Sequence, residues 1–127
     1  MQEQNPVGWF EIYVDDIDRA QKFYEMVFDV KLGDLPDPSG SGIVMRPFPM
    51  YPDKPNSAGT LVKMEGMKAG GNSTVVYFVS EDCSIESSRV EKAGGKVFQP
   101  KMSIGEFGFV SLCYDTEGNM IGIHSMA

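Results

Sequence analysis

The strongest constraint on this chain is an internal repeat. The stretch WFEIYVDDIDRAQKFYEMV, beginning at Trp9, and VVYFVSEDCSIESSRVEKA, beginning at Val75, align without a gap at an offset of 66 residues. Self-similarity at a fixed offset means that one supersecondary unit is used twice. In the first copy Phe10, Ile12 and Val14 alternate with Trp9, Glu11 and Tyr13, the period of two of a strand with two distinct faces. In the second, Val76 and Phe78 alternate with Val75, Tyr77 and Val79. An aspartate follows each strand at the equivalent place, Asp16 and Asp82, suited to cap the free N–H groups of a helix's first turn. Helix one then places Ile17, Ala20, Phe23, Tyr24, Val27 and Phe28 at three-and-four spacing, an apolar stripe for a core. Helix two has the weaker set Ile85, Val90 and Ala93, and Gly94-Gly95 stops it.

After each helix the chain reads as extended and turn-rich. DVKLG, SGIVMRPF and AGTLVKME are expected as strands in the first half, and KVFQ, FGFVSLCYD and NMIGIHSM in the second. Each half is therefore a βαβββ module, module one over about 7–65 and module two over about 73–126. The glycine-rich EGMKAGGNS between them marks a linker at about 66–72. DTEGN is a polar turn in which Gly118 can take positive φ. Six prolines between positions 35 and 56 predict edge and loop backbone there, which could rim a pocket or form a stiff connection.

A chain of 127 residues suffices for one domain with a real core. Its 18 acidic against 11 basic side chains give a net charge of −7, and the basic residues form no patch. Phosphate backbones and anionic lipids are thus disfavoured partners, and a small molecule is the natural ligand class. No stretch approaches the length of a membrane span, and MQEQNPVG has no signal-peptide pattern, so a cytoplasmic protein is expected. Cys83 and Cys113, 30 positions apart and outside any CxxC spacing, read as reduced thiols rather than a disulfide or zinc pair.

Two βαβββ modules, with RAxxFY on helix one (Arg19, Ala20, Phe23, Tyr24) and a closing D-x-E-G-N turn (Asp115, Glu117, Gly118, Asn119), resemble the vicinal oxygen chelate superfamily of glyoxalase I, the bleomycin-resistance proteins and the extradiol dioxygenases. The resemblance runs from about Val7 to Met126. It implies an α+β fold in which each module forms half of an incomplete barrel around a central cavity, and it makes a homodimer the default. It also implies a divalent metal held from the first and last strands of each module. The first-strand ligand, a His or Gln seven residues before the helix-start Asp, falls on Trp9. Its counterpart in module two, often His, falls on Val75, and the last-strand Glu, four residues after the turn glycine, falls on Gly122. The fourth ligand belongs to the strand around 58–65, where Glu65 and Lys63 are candidates. Trp, Val and Gly offer no lone pair to a divalent cation, so no cofactor is expected unless this register is wrong.

The same alignment turns Glu11, Tyr77, Met120 and His124 toward the cavity with Trp9. Glu11 and His124, the only histidine, make the sharpest catalytic hypothesis: a carboxylate exchanging a proton with an imidazole, beside the Tyr77 phenol. The competing reading is structural, a buried Glu tied to Tyr77 or His124 and holding the modules in register. The expected ligand-binding set is Trp9, Glu11, Tyr77, Met120 and His124, around a small, largely apolar organic molecule. Three functions follow: a metal-free binder of resistance type, a lyase or isomerase working either without metal through Glu11 and His124 or with a metal, and a purely structural or regulatory dimer. Arg46 could bind a ligand carboxylate or be a surface cation. The nine methionines suit an adaptable pocket or ordinary core filling, and Cys113, between Leu112 and Tyr114, reads as inert core. GGN and GSG lack the strand–turn–helix setting of a phosphate loop.

Overall fold

The computed structural model describes residues 3–37, 40 and 42–127, so Pro38 and the Ser41 of GSG lie outside it. The alternating segment at Trp9 forms β1 (Trp9–Tyr13), and Asp16 starts α1 (Ile17–Phe28). Asp16 is extended and its carboxylate accepts from the Arg19 N–H at 3.0 Å, the capping role its position predicts. The helix ends where Asp29 takes the left-handed conformation, φ 52°, and returns its N–H to the Glu25 carbonyl.

That cap corrects one expectation, because a strand over DVKLG cannot begin at a left-handed Asp29. Among the described residues the chain instead runs beside β2 (Val44–Pro47) through two bonds, Gly33 N–H to the Pro47 carbonyl at 3.0 Å and Leu35 N–H to the Met45 carbonyl at 3.3 Å. Pro36 and Pro47 have no N–H to give, so the ladder stops there. β3 (Ala58–Lys63) lies between β1, parallel, and β2, antiparallel.

Module two contains β4 (Val76–Val79), α2 (Cys83–Ser87), β5 (Lys96–Ser103), β6 (Phe109–Tyr114) and β7 (Met120–Ser125) in the order β4-β7-β6-β5. With the Leu35 segment taken as a vestigial outer strand, module one repeats that order. Neither sheet closes into a barrel. Asp82 caps α2 through the Ser84 N–H, as expected, but regular helix stops at Ser87 rather than at Gly94. Serines crowd this segment, and the Ser88 hydroxyl bonds back to the Ile85 carbonyl, competing with the helical ladder. Tight turns carry the chain on until Gly95 donates to the Val90 carbonyl at 2.9 Å. β5 runs longer than KVFQ because it is an edge strand, where register shifts accommodate Pro100.

The apolar stripe of α1 is buried as its spacing predicts, with Ala20, Phe23, Tyr24 and Val27 fully inaccessible. Phe78 of β4 inserts into the aromatic side chains of module one, with its ring 4.5 Å from Phe28, 5.4 Å from Phe48 and 5.8 Å from Phe10. Arg89 reaches across to the Val27 carbonyl at 3.0 Å, satisfying a free group in the last turn of α1. The two modules therefore share one core. Among the described residues, no helix is long and apolar enough to cross a membrane.

Candidate functional site

The motif residues form the junction between the modules. Glu117, whose side chain is wholly buried, accepts from the Asp15 and Asp16 N–H groups at 3.1 and 2.9 Å, and from Arg19 Nε and Nη2 at 2.7 and 2.8 Å. Burial alone would raise its pKa, but the Arg19 fork, the Thr116 hydroxyl and the backbone donors outweigh it and hold Glu117 at about 2. Asp115 accepts the Tyr24 hydroxyl at 2.7 Å and the Glu117 and Asn119 N–H groups at 2.8 and 2.9 Å. Here burial wins, and the Asp115 carboxyl is pushed up despite those bonds. Asn119 donates to the Tyr13 carbonyl and accepts from the Gly70 N–H at 2.7 Å, so the linker is fastened to the same turn. The motifs RAxxFY and D-x-E-G-N are thus two halves of one structural joint.

On the other side of the sheets, the strand faces that carry the expected site are open. Trp9 is 40% exposed and Tyr77 49%, and Glu11 is exposed as well. Glu11 is bonded within its own strand, by the Tyr13 hydroxyl at 3.0 Å and more weakly by Trp9 Nε1 at 3.4 Å. The bond to Glu11 is the first cause of a raised Tyr13 pKa. His124 Nε2 pairs with the Phe107 carbonyl at 2.7 Å. The expected bonds from Glu11 to Tyr77 or His124 are therefore not formed, and Glu11 is not the buried carboxylate of the structural reading. Register explains the miss. Glu11 lines a cleft of about 220 Å³ with Met120, Lys68 and Asn72, whereas His124 lies four residues further along β7, roughly 13 Å away. Tyr77 lines a neighbouring hollow with Phe10 and Val79. The structure thus brings Glu11 and Met120 together, with Tyr77 nearby and His124 apart.

Sequence reasoning missed Lys68 and Asn72, because an aperiodic linker gives no facing signal. Asn72 exchanges bonds with Met120, donating to its carbonyl at 3.2 Å and accepting from its N–H at 3.1 Å. Tyr13 was findable, since it shares the period-two face of Glu11.

The side chains at the positions that the resemblance assigns to a metal do not fit a divalent ion. Besides Trp9 and half-buried Val75, Gly122 lies beneath the Tyr77 ring, and a Cβ there would come within 2.4 Å of that ring. The phenol occupies the space a glutamate would need. Lys63 closes β3 and Glu65 is exposed beyond it, and no group of three His, Cys, Asp or Glu among the described residues could hold a metal. Arg46 points to the helix side, toward Gln21, Asp18 and Asp34. Both cysteines are free and buried, and burial raises the Cys113 thiol to about 12, which makes it unreactive.

Paired βαβββ modules with open strand faces define a class of fold rather than one activity. The chain belongs to the Glyoxalase/Bleomycin resistance protein/Dioxygenase superfamily, whose family model matches residues 7–123. It is 28% identical to the "Putative glyoxylase CFP32" of Mycobacterium bovis over 94% of its own length and 45% of that protein. It thus spans about half the length of the curated relatives it matches. Among solved structures, glyoxalase I from Zea mays superposes with a TM-score of 0.74 at 21% identity, over 94% of this chain and 44% of that one. TnmS3, an antibiotic binding protein from Streptomyces sp. CB03234, gives 0.70 at 21% identity, with all of both chains covered. At these identities the solved structures speak for the fold alone.

Proposed function

We propose that this chain binds a small, largely apolar organic molecule on the open strand faces between its modules, without the family's metal. The carrying observation is the packing of the Tyr77 ring over Gly122, which fills one ligand position with an aromatic wall while Trp9 stands at another. Half-exposed Trp9 and Tyr77 offer flat apolar surface, and Glu11 and Lys68 offer the few polar contacts that orient a ligand in such sites. TnmS3, named as an antibiotic binding protein, uses the same fold over its full length, so the fold is compatible with this reading. An enzymatic second reading draws on the relatives named as a putative glyoxylase and a glyoxalase I, each about twice as long as this chain. A homodimer would enclose the open faces and is proposed with the binding function.

Trp9 is the only tryptophan, so its fluorescence reports on the site directly. Titration with 2-naphthol is expected to quench it saturably, and protein purified without chelator is expected to carry no stoichiometric divalent ion. One tightly held ion per chain, or quenching without saturation, would sink the proposal.

A further inference from the structure

A second cavity lies between aromatic side chains of both modules, apart from the Glu11 cleft. It measures about 280 Å³ and is walled by Phe10, Phe28, Phe48, Tyr51 and Phe78, with Glu86 of α2 at its edge. The Phe10 ring lies across Gly59, where a Cβ would approach within 2.4 Å, so a glycine in β3 lets that ring form part of the wall. The proline-rich loop supplies Pro49 and Tyr51, which gives this stretch a place in a pocket.

Among the described residues lining the cavity, Glu86 alone is charged, and its carboxylate is held in place. Its Oε1 accepts the Ser80 hydroxyl at 2.5 Å, and Ser80 Oγ in turn accepts the Asp82 N–H at 3.0 Å. The Ser80 backbone is itself fixed by a 2.8 Å bond to the His124 carbonyl. The second oxygen, Oε2, has no hydrogen-bond partner among the described residues. Aromatic faces attract cations, and a carboxylate beside them supplies a directed charge-assisted bond. Cavities of about 150 Å³ already admit a benzene ring, so this one has room for a ring with a short chain.

We infer that the cavity between Phe10, Phe78 and Glu86 is a second binding site, selective for a small organic ammonium ion bearing one aromatic ring. The ring stacks among the phenylalanines while the ammonium donates to Glu86 Oε2. The inference does not rest on the function proposed above, because this cavity shares no lining residue with the cleft of Glu11, Lys68 and Met120.

The test is an NMR titration of the full chain with phenethylamine and with its neutral counterpart 2-phenylethanol. Saturable shifts at Ser57, Phe78 and Glu86, tighter binding of the amine than of the alcohol, and an approximately tenfold loss of amine affinity in Glu86→Gln with no change for the alcohol are expected. Equal binding of the two probes, no binding of either, shifts confined to Trp9 and Met120, or an unaffected amine in Glu86→Gln would each overturn the proposal. If Glu86→Gln fails to fold, Tyr51→Ala takes its place: Tyr51 is 67% exposed, and its removal is expected to weaken the amine at Phe78. Undiminished affinity in that variant also overturns the site.

Discussion

The Tyr24 hydroxyl donates to Asp115 Oδ2 at 2.7 Å, a bond between residues 91 positions apart that pins α1 of module one to the closing turn of module two. Burial and the neighbouring carboxylate push the Tyr24 phenol well above its ordinary range, so it remains a donor at all working pH. Tyr24→Phe keeps the ring packing and leaves a buried carboxylate one donor short, at an expected cost of about 1–2 kcal/mol in urea unfolding. Tyr77→Phe, whose hydroxyl has no bonded partner among the described residues, is the control and is expected within about 0.5 kcal/mol of the parent. Equal losses in the two variants would contradict the assignment.

Glu117 makes the joint acid-sensitive. Its pKa falls from 4.5 to about 2 on folding, so its contribution is fully present above pH 4.5 and is lost as pH falls toward 2. Asp115 works in the other direction: its pKa is raised, so protonation at low pH relieves rather than harms the fold. Thermal midpoints measured from pH 6 to 2 are expected to drop steeply below 4.5 in the parent. The drop is expected to be shallower in Glu117→Gln, which starts from lower stability at neutral pH. Parallel curves would show that Glu117 does not carry the acid response.

Gly122 and Tyr77 are expected to be coupled. Gly122→Ala forces the Tyr77 ring away from a 2.4 Å approach, with a cost of about 1–3 kcal/mol for overpacking. In a Tyr77→Ala background the clash is gone, and the same substitution is expected to cost under about 0.5 kcal/mol. A double-mutant cycle in urea measures the difference, and additive costs would remove the argument that the ring fills the old ligand position.

Much of the fold was legible because it rests on periodicity and capping. The alternation at Trp9 and Val75, the aspartates at 16 and 82, and the DTEGN turn all appear where the pattern places them. The failures have local causes: the left-handed Asp29 cap removes the DVKLG strand, and the serines shorten α2. The site was less legible. Period two identifies the face of a strand but not how far along a neighbouring strand a partner lies, so Glu11 and His124 share an orientation without sharing a place. The joint was visible only as two motifs, because nothing in one sequence says that Arg19 and Glu117 meet.

The cysteines give a simple check on the core. Cys83 and Cys113 are both inaccessible, and the Cys113 thiol is raised to about 12 by burial and by the neighbouring Asp115 carboxylate. A disulfide-exchange dye at pH 8 is expected to label neither in the folded chain and both in denaturant. Fast labelling of one thiol in the native protein would place it in an open environment.

Glu11 separates a binding role from a structural one. The carboxylate is exposed and its partners, Trp9 and Tyr13, lie on its own strand, so Glu11→Gln is expected to change stability by less than about 0.5 kcal/mol. Two local signals are expected to move instead. The amide keeps one acceptor oxygen but loses the charge, so the Tyr13 ionisation falls back toward 10.0, which the Tyr13 ring resonances follow. The single amide oxygen cannot serve both Tyr13 and Trp9 as the two carboxylate oxygens do, so the indole is less well oriented and 2-naphthol affinity, read by Trp9 quenching, is expected to weaken about threefold to tenfold. Unchanged affinity together with a large stability loss would assign Glu11 to the scaffold and leave the open face without its polar anchor.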